Sequence, residues 1–183
     1  MRGPRFGRAG AAEMDAETSR EGRVGSIHGK PARPGERGLP KPELETAQVD
    51  RDWLEGDFNR YRHERLHDDP DSALLILPEE TLADLAREGW PVRPGDLGEN
   101  LTLEGLPYAA LRPGVTLAVG PELVVTVRRA CEPCRYLAGL PYVGTARLGE
   151  FQRAVLGRRG WYARVDRPGR IRRGDPVRIR AGP

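Results

Sequence analysis

The sequence of 183 residues predicts a mainly β domain with a few helices, an α+β fold whose sheet closes or partly closes into a barrel. Two observations support this prediction. Short alternating or β-branched stretches recur along the chain, separated by turn dipeptides at 94–95, 113–114 and 120–121. Only two segments, 78–89 and 148–156, have the spacing of apolar residues that favours a helix.

Three strands are predicted in the first half of the chain. Residues 23–28 alternate and include β-branched side chains, and residues 44–49 form a second short strand. Residues 73–77 are a continuous apolar run that ends at Pro78. A run of this length between turn signals is typical of a strand buried on both faces.

The clearest helix runs from Pro78 to Gly89. Pro78 suits a first turn, and Glu79 favours the positive end of the helix dipole. Leu82 and Leu85 repeat at helical spacing and predict an apolar face that seals the barrel. Gly89 is a suitable terminator.

The second half of the chain contains further short strands and one further helix. The helix is predicted at 148–156. The strands are predicted at 100–103, 115–119, 123–127, 161–165 and 177–180.

Composition limits the functional classes. With 30 basic and 27 acidic residues the formal net charge is +3, which does not by itself indicate nucleic-acid binding. The sequence has no apolar run of about 18 residues, so no membrane span is predicted. The N-terminus lacks the apolar centre of a secretory signal, so we expect a cytoplasmic protein. Residues 1–22 are predicted to be a disordered tail and 23–183 the domain; translation could start at Met1 or Met14.

Cys131 and Cys134 are the only cysteines, and they form a CxxC pair. A disulfide across two residues would restrain little chain, so a structural bridge is not expected. A thiolate is a soft metal ligand. The nearby Arg128, Arg129 and Arg135 would favour the thiolate form.

The CxxC motif alone leaves several interpretations open. A zinc site would need a second ligand pair, for which His28, His63 and His67 have no recognised spacing. A redox motif would need a thioredoxin-like βαβ setting, which the pattern does not offer. Two small buried side chains at the end of a strand are the structural alternative.

Seven segments, taken in order, resemble the MOSC family, the molybdenum-cofactor sulfurase C-terminal domain. The resemblance extends from Arg23 almost to the end of the chain. The segments are LEGD at 54–57, LHDDPDSA at 66–73, PGDLGENLT at 94–102, LRPG at 111–114, EPC at 132–134, GWYARV at 160–165 and GRIRRGD at 169–175.

The resemblance implies a β-rich barrel that binds a molybdopterin-type cofactor. Cys134 matches the family's cysteine, which ligates molybdenum in relatives that reduce N-hydroxylated compounds. Other members are thought to carry sulfur. The expected partners are therefore the molybdenum cofactor and an external electron or sulfur donor protein, with no nucleic acid, membrane or pyridoxal phosphate.

The catalytic candidates are Cys134, which would also be the metal ligand, His67 and Asp57. His67 could donate a proton near neutral pH, or it could be a solvated loop residue. Asp57 could orient an arginine or a substrate group, or it could stabilise a Gly-Asp turn.

The cofactor-binding candidates combine one amide with several cations. The Asn100 side chain has the donor and acceptor that suit a pterin edge, although it could simply satisfy turn backbone. Where the family often has His-Gly-Gly, this chain has His67, Asp68 and Asp69, so arginines could replace the phosphate-binding glycines. The basic candidates are Lys41, Arg60, Arg62 and Arg128.

Two functions follow as hypotheses. The first is a molybdenum-dependent reductase of N-hydroxylated or N-oxide compounds. The alternative is a sulfur carrier or a cofactor carrier without its own turnover. A domain that has lost cofactor binding is a third interpretation, because of Asp68 and Asp69.

Overall fold

The computed structural model describes residues 21–34 and 38–180. The strands in this part of the chain are β1 Glu21–His28, β2 Glu43–Leu44, β3 Thr46–Val49, β4 Leu74–Pro78, β5 Leu101–Glu104, β6 Thr116–Val119, β7 Leu123–Ala130, β8 Trp161–Arg167, β9 Gly169–Arg172 and β10 Pro176–Ile179. The α-helices are α1 Arg60–Leu66, α2 Glu79–Arg87 and α3 Leu148–Val155. Short 3-10 helices cover Pro70–Ser72, Tyr108–Ala110 and Arg135–Gly139.

The main sheet closes on itself, which confirms the predicted barrel. Its strands follow the order β10-β6-β7-β8-β4-β5-β1, and pairing of β1 with β10 completes the ring. Neighbouring strands are antiparallel except β4 and β5, which are parallel and are connected through α2. Closure leaves the barrel strands without open edges.

Strand β4 is buried along its whole length, as its continuous apolar run predicted. Leu74 and Ile76 pack in the larger apolar core with residues of the other barrel strands. Leu77 packs in a second core beneath α2 and α3, and Leu75 contacts a small cluster that contains Cys131. This strand therefore joins the barrel to the region around the cysteines.

Helix α2 begins after Pro78 and ends at Arg87, close to the predicted bounds. Leu82 and Leu85 face the second core. Gly89 follows with a φ of +90°, a left-handed conformation that glycine adopts without strain. None of the helices that the structure describes is long and apolar enough to cross a membrane.

The structure differs from the predictions at four places. Strand β7 continues to Ala130 rather than ending at Val127, because a register shift between Val127 and Arg129 lets it keep pairing with β8. Helix α1 and strand β9 were not predicted. The predicted tail lies outside the described residues as far as position 20, and Glu21 and Gly22 pair with β10.

Candidate functional site

The extension of β7 determines where the cysteines lie. Ala130 pairs with Trp161 at the start of β8, and the Cys131 backbone N–H donates to the Gly160 carbonyl at 2.9 Å. The chain then passes through Pro133 to Cys134, where a 3-10 helix begins. Both cysteines are free thiols.

A buried arginine contacts the Cys134 sulfur. Nη1 of Arg159 lies 3.3 Å from Cys134 Sγ and also donates to the Glu132 carbonyl at 2.5 Å. Nη2 donates to the Leu97 carbonyl at 3.2 Å. Arg159 thus links the cysteine segment to the loop that precedes β5.

The charge of Arg159 has no acidic counterpart nearby. Arg159 is only 5% exposed, and no carboxylate of the described residues lies within ion-pair distance of its guanidinium. Burial opposes its charge, but the neighbouring Cys131 and Cys134 sulfurs raise the pKa of Arg159 above its ordinary value. A buried cation without a carboxylate favours a negative charge on its neighbours. The guanidinium is therefore well placed to stabilise a Cys134 thiolate.

The two cysteines occupy different environments. Cys131 is 2% exposed, and its Sγ contacts the Glu132 carbonyl at 3.8 Å. Burial raises the pKa of the Cys131 thiol, so its neutral form is favoured. Cys134 is 9% exposed and lines a cleft, whereas Cys131 does not. Of the pair, Cys134 is the thiol that a ligand can reach.

The cleft beside Cys134 is lined by aromatic and basic side chains. We call it the Cys134 cleft. Arg159 and Lys41 supply charge on its inner side, and Arg60 supplies charge at its mouth. The aromatic residues that line it are Phe58, Tyr61, Tyr136 and Tyr162.

Lys41 is held by Asp57 behind the cleft. Lys41 Nζ lies 2.7 Å from Asp57 Oδ2, and both side chains are almost fully buried. Asp57 Oδ1 also accepts from the Lys30 backbone N–H at 2.9 Å. The predicted catalytic residue Asp57 and the predicted cofactor-binding residue Lys41 are therefore partners in one buried ion pair.

Asn100 lies in the same network and links three parts of the chain. Its Oδ1 accepts from the Leu75 backbone N–H at 3.1 Å. Its Nδ2 donates to Asp57 Oδ2 at 2.8 Å and to the His28 carbonyl at 3.2 Å. The side chain thus forms hydrogen bonds with backbone groups and a carboxylate, as the structural interpretation of Asn100 expected. Asn100 does not line the Cys134 cleft.

Glu99 is the completely buried residue of this loop. Its Oε1 accepts from the Gly95 backbone N–H at 2.6 Å, while Oε2 has no hydrogen-bond partner among the residues that the structure describes. Burial raises the pKa of the Glu99 carboxyl, and the nearby His28 and Lys41 partly offset that increase. A protonated Glu99 is the form that costs least to bury. Sequence reasoning did not single out Glu99.

The predicted arginines separate into two groups. Arg60 lines the Cys134 cleft. Arg128 Nε lies 3.0 Å from Asp71 Oδ2, and Arg62 Nη2 donates to the Asp68 carbonyl at 2.7 Å; neither lines the cleft. The cation that contacts the Cys134 sulfur is Arg159. Of the three arginines expected near the thiol, Arg135 interacts electrostatically with Cys134, whereas Arg128 and Arg129 pair with Asp71 and Asp69.

His67 caps the C-terminal end of α1 and is exposed. His67 and Asp68 have φ angles of +49° and +56°, in the left-handed region that favours glycine. The loop therefore keeps a glycine-type backbone at Asp68 although the residue is an aspartate. His67 does not line the Cys134 cleft, and its position gives the predicted proton transfer no support.

Sequence reasoning missed Arg159, although it is the closest charged neighbour of Cys134. It stands directly before the GWYARV segment, in the pair Arg158-Arg159. Its neighbour Arg158 forms an ion pair with Glu88 at 2.5 Å. Nothing in the local pattern distinguishes the two arginines, and only the fold turns Arg159 inward.

In the described residues, no group of three or more His, Cys, Asp or Glu side chains could hold a metal ion. A metal at Cys134 would therefore need most of its ligands from a cofactor. Cys134 offers one soft sulfur donor.

The MOSC domain family model matches residues 63–178. No curated protein sequence matches the chain. Among solved structures, YuaD from Bacillus subtilis is similar with a TM-score of 0.70 and 17% identity, over 89% of this chain and 97% of that protein.

YiiM from Geobacillus stearothermophilus has a TM-score of 0.65 and 26% identity, over 87% of this chain and 75% of that one. YiiM from Escherichia coli has a TM-score of 0.61 and 22% identity, over 88% of this chain and 71% of that one. These structures share the barrel fold described above.

Proposed function

Because the chain belongs to the MOSC domain family, we propose that it binds the molybdenum cofactor through Cys134 and reduces N-hydroxylated or N-oxide compounds. One observation carries the proposal. Arg159, buried and without a carboxylate partner in the described part of the chain, lies 3.3 Å from the Cys134 sulfur at the floor of a cleft. This arrangement favours a thiolate where a ligand can reach it.

The residues around Cys134 fit such a cofactor. The thiolate would be the single protein ligand, and Arg159 and Arg60 provide positive charge along the cleft for an anionic ligand, while the charge of Lys41 is balanced by Asp57. The planar rings of Tyr136 and Tyr162 give the cleft walls that a flat pterin could pack against.

Each of these residues has a separate task in the proposed reaction. Cys134 fixes the position of the metal. Arg159 holds the thiolate charge and keeps the cysteine segment at a fixed distance from Leu97. The aromatic walls restrict water, which strengthens the electrostatic contacts in the cleft. When bound, the cofactor supplies the two-electron redox chemistry.

The overall reaction needs a reductant. Conversion of an N-hydroxylamine to an amine consumes two electrons and two protons and releases water, as the N–O bond breaks and an N–H bond forms. The sequence contains no nicotinamide or flavin fingerprint. We therefore propose that a separate electron-donor protein supplies the electrons.

A carrier function is the second candidate, and the presence of Cys131 beside Cys134 favours it. A second thiol lies three residues before Cys134, and Arg159 influences both sulfurs. Such a pair could hold a persulfide on Cys134 for transfer. A carrier would bind its cargo without turning over an N-hydroxylated substrate.

The test uses protein purified from a host that makes the molybdenum cofactor. We expect stoichiometric molybdenum and pterin in the wild type, loss of both in Cys134→Ser, and retention in the matched control Cys131→Ser. Reduction of an N-hydroxylated base by an added chemical electron donor then supports the enzyme. Molybdenum without turnover supports a cofactor carrier, and wild type without molybdenum contradicts both metal-bound functions.

A further inference from the structure

The free space inside the Cys134 cleft is too small for a cofactor. Its volume is about 30 Å³, which is room for one or two water molecules. Pockets that bind cofactors or drug-sized ligands enclose about 300–1,000 Å³. A ligand of that size can therefore reach the Cys134 sulfur only after part of the cleft wall has moved aside.

The inner wall of the cleft belongs to the packed body of the protein. Leu75 on β4 and Tyr162 on β8 line this wall, and they are 2% and 4% exposed. Tyr136 lines the cleft from the 3-10 helix that follows Cys134, and Leu137 anchors that helix in the second core. Because protein cores are close-packed, these parts of the wall are held in place.

The outer wall is formed by the start of α1 and the two residues before it. Residues 58–61 line the cleft and are half-buried. The buried residue of this seven-residue helix is Arg62, and Leu66 is only partly buried. A segment with so few buried apolar contacts opens locally at a low cost in free energy. Helix α1 is therefore the part of the wall that is best able to move.

A hydrogen bond joins α1 to the inner wall. The Tyr136 hydroxyl donates to Glu64 Oε2 at 2.5 Å, and Arg60 Nη1 lies 3.3 Å from Glu64 Oε1. The hydrogen bond from Tyr136 lowers the pKa of the Glu64 carboxyl, so the acceptor stays charged at neutral pH. The Glu64 side chain is 39% exposed, so water can replace Tyr136 as its partner when the helix moves away.

The contacts at the two ends of α1 would survive such a movement. Before the helix, the Phe58 N–H donates to the Lys30 carbonyl at 2.7 Å. After the helix, the Asp68 carbonyl accepts from Arg62 Nη2 at 2.7 Å. Neither contact involves the cysteine segment, so α1 can tilt away from Tyr136 while both of its ends stay attached.

We infer that α1 is a lid on the Cys134 cleft and that the hydrogen bond between Tyr136 and Glu64 holds the lid shut. Ligands larger than water reach the thiol only while this bond is broken. The inference concerns access to the sulfur, so it goes beyond the proposed function and does not depend on which ligand Cys134 binds.

The test measures how fast a bulky thiol reagent, fluorescein maleimide, modifies Cys134 in the full chain that carries Cys131→Ser. Tyr136→Phe removes the donor of the hydrogen bond, and Glu64→Ala removes its acceptor. We expect each variant to raise the rate by about tenfold, as loss of one charge-assisted hydrogen bond would. The double variant should react little faster than either single one, because both substitutions remove the same bond.

The matched control is Glu150→Ala, because Glu150 is an exposed acid that pairs with Arg147 within α3 and its N-terminal turn. Its rate should equal that of the Cys131→Ser background. Rates measured over a pH series separate lid opening from a change in the thiol itself. Opening raises the rate by the same factor at every pH, whereas a changed thiol pKa shifts the midpoint of the profile.

Equal rates in the background, Tyr136→Phe and Glu64→Ala overturn the inference, and so does acceleration by only one of the two variants. A rise in rate that consists of a shifted midpoint overturns it as well. Absence of molybdenum from the host-expressed wild type would defeat the proposed function but would leave these rates, and the lid, as expected.

Discussion

The guanidinium of Arg159 contacts the Cys134 sulfur at 3.3 Å and has no carboxylate partner in the described part of the chain. The remaining hydrogen bonds of the guanidinium go to the carbonyls of Glu132 and Leu97. A positive charge buried among neutral acceptors lowers the free energy of a thiolate beside it. Because Cys134 lines the cleft and Cys131 does not, Cys134 is the candidate ligand of the two.

Replacing Arg159 should reduce the reactivity of Cys134. In a Cys131→Ser background, Arg159→Met removes the buried cation that contacts the sulfur, so the thiolate is less favoured. We expect alkylation of Cys134 by iodoacetamide near neutral pH to slow by about tenfold. The rate is measured by mass spectrometry of the modified protein.

The matched control for this prediction is Arg153→Met, which removes an exposed arginine of α3. Its alkylation rate should equal that of the background. Circular dichroism of Arg159→Met verifies that the barrel persists. A folded Arg159→Met protein that alkylates as fast as the control would show that Arg159 does not activate the thiol.

Lys41 and Asp57 should stabilise the fold only while both are present. Lys41→Met leaves the Asp57 carboxylate buried without its cation, and the free energy of unfolding should fall by about 3–5 kcal/mol. Adding Asp57→Asn removes the stranded charge and should recover part of that loss. Urea unfolding of the wild type, the single variant and the double variant measures both effects.

An exposed ion pair on α2 is the control for the buried Lys41–Asp57 pair. Arg87 and Asp84 form an i,i+3 pair on α2 with both side chains exposed. Arg87→Met should therefore change the free energy of unfolding by only about 0–1 kcal/mol. A similar cost for Lys41→Met and Arg87→Met would contradict the view that the buried pair organises the cleft.

Glu99 should make stability depend on pH. Burial raises the pKa of its carboxyl above the ordinary value of 4.5, so the folded state holds the proton more tightly than the unfolded state. The stabilisation of the folded state that comes from this proton is fully present below pH 4.5 and is lost as pH rises through the folded pKa. Glu99→Gln keeps the shape and removes the titration.

We therefore expect the free energy of unfolding of Glu99→Gln to increase relative to that of the wild type as pH rises above 4.5. Urea unfolding over a pH series measures the difference. Glu79→Gln, at an exposed position in the first turn of α2, is the control and should show no such trend. A constant difference for Glu99→Gln across the series would mean that folding does not shift the pKa of Glu99.

The elements that sequence reasoning predicted are those whose signals are local. The apolar run of 73–77 was read as a doubly buried strand, and β4 is buried throughout. The Pro78 and Gly89 boundaries of α2 depend on backbone preferences of single residues. Helix α1 was missed because its sequence, RYRHERL, is polar and lacks a periodic apolar face.

The site was only partly predictable because its contacts join distant parts of the chain. Arg159 and Cys134 are 25 positions apart, and Asn100 and Asp57 are 43 apart. The family resemblance selected Cys134 and Asp57 but gave no information on which arginine faces inward. Pairing of Arg128 with Asp71 depends on the register of β7 against the neighbouring loop, which the sequence pattern does not reveal.

Cys134 is the protein ligand that we propose for molybdenum. X-ray absorption at the molybdenum edge, on protein loaded in a cofactor-producing host, counts the sulfur neighbours of the metal directly. We predict one fewer sulfur neighbour, or loss of the metal, in Cys134→Ser, with Cys131→Ser unchanged from the wild type. An identical sulfur count in wild type and in metal-loaded Cys134→Ser would contradict the account.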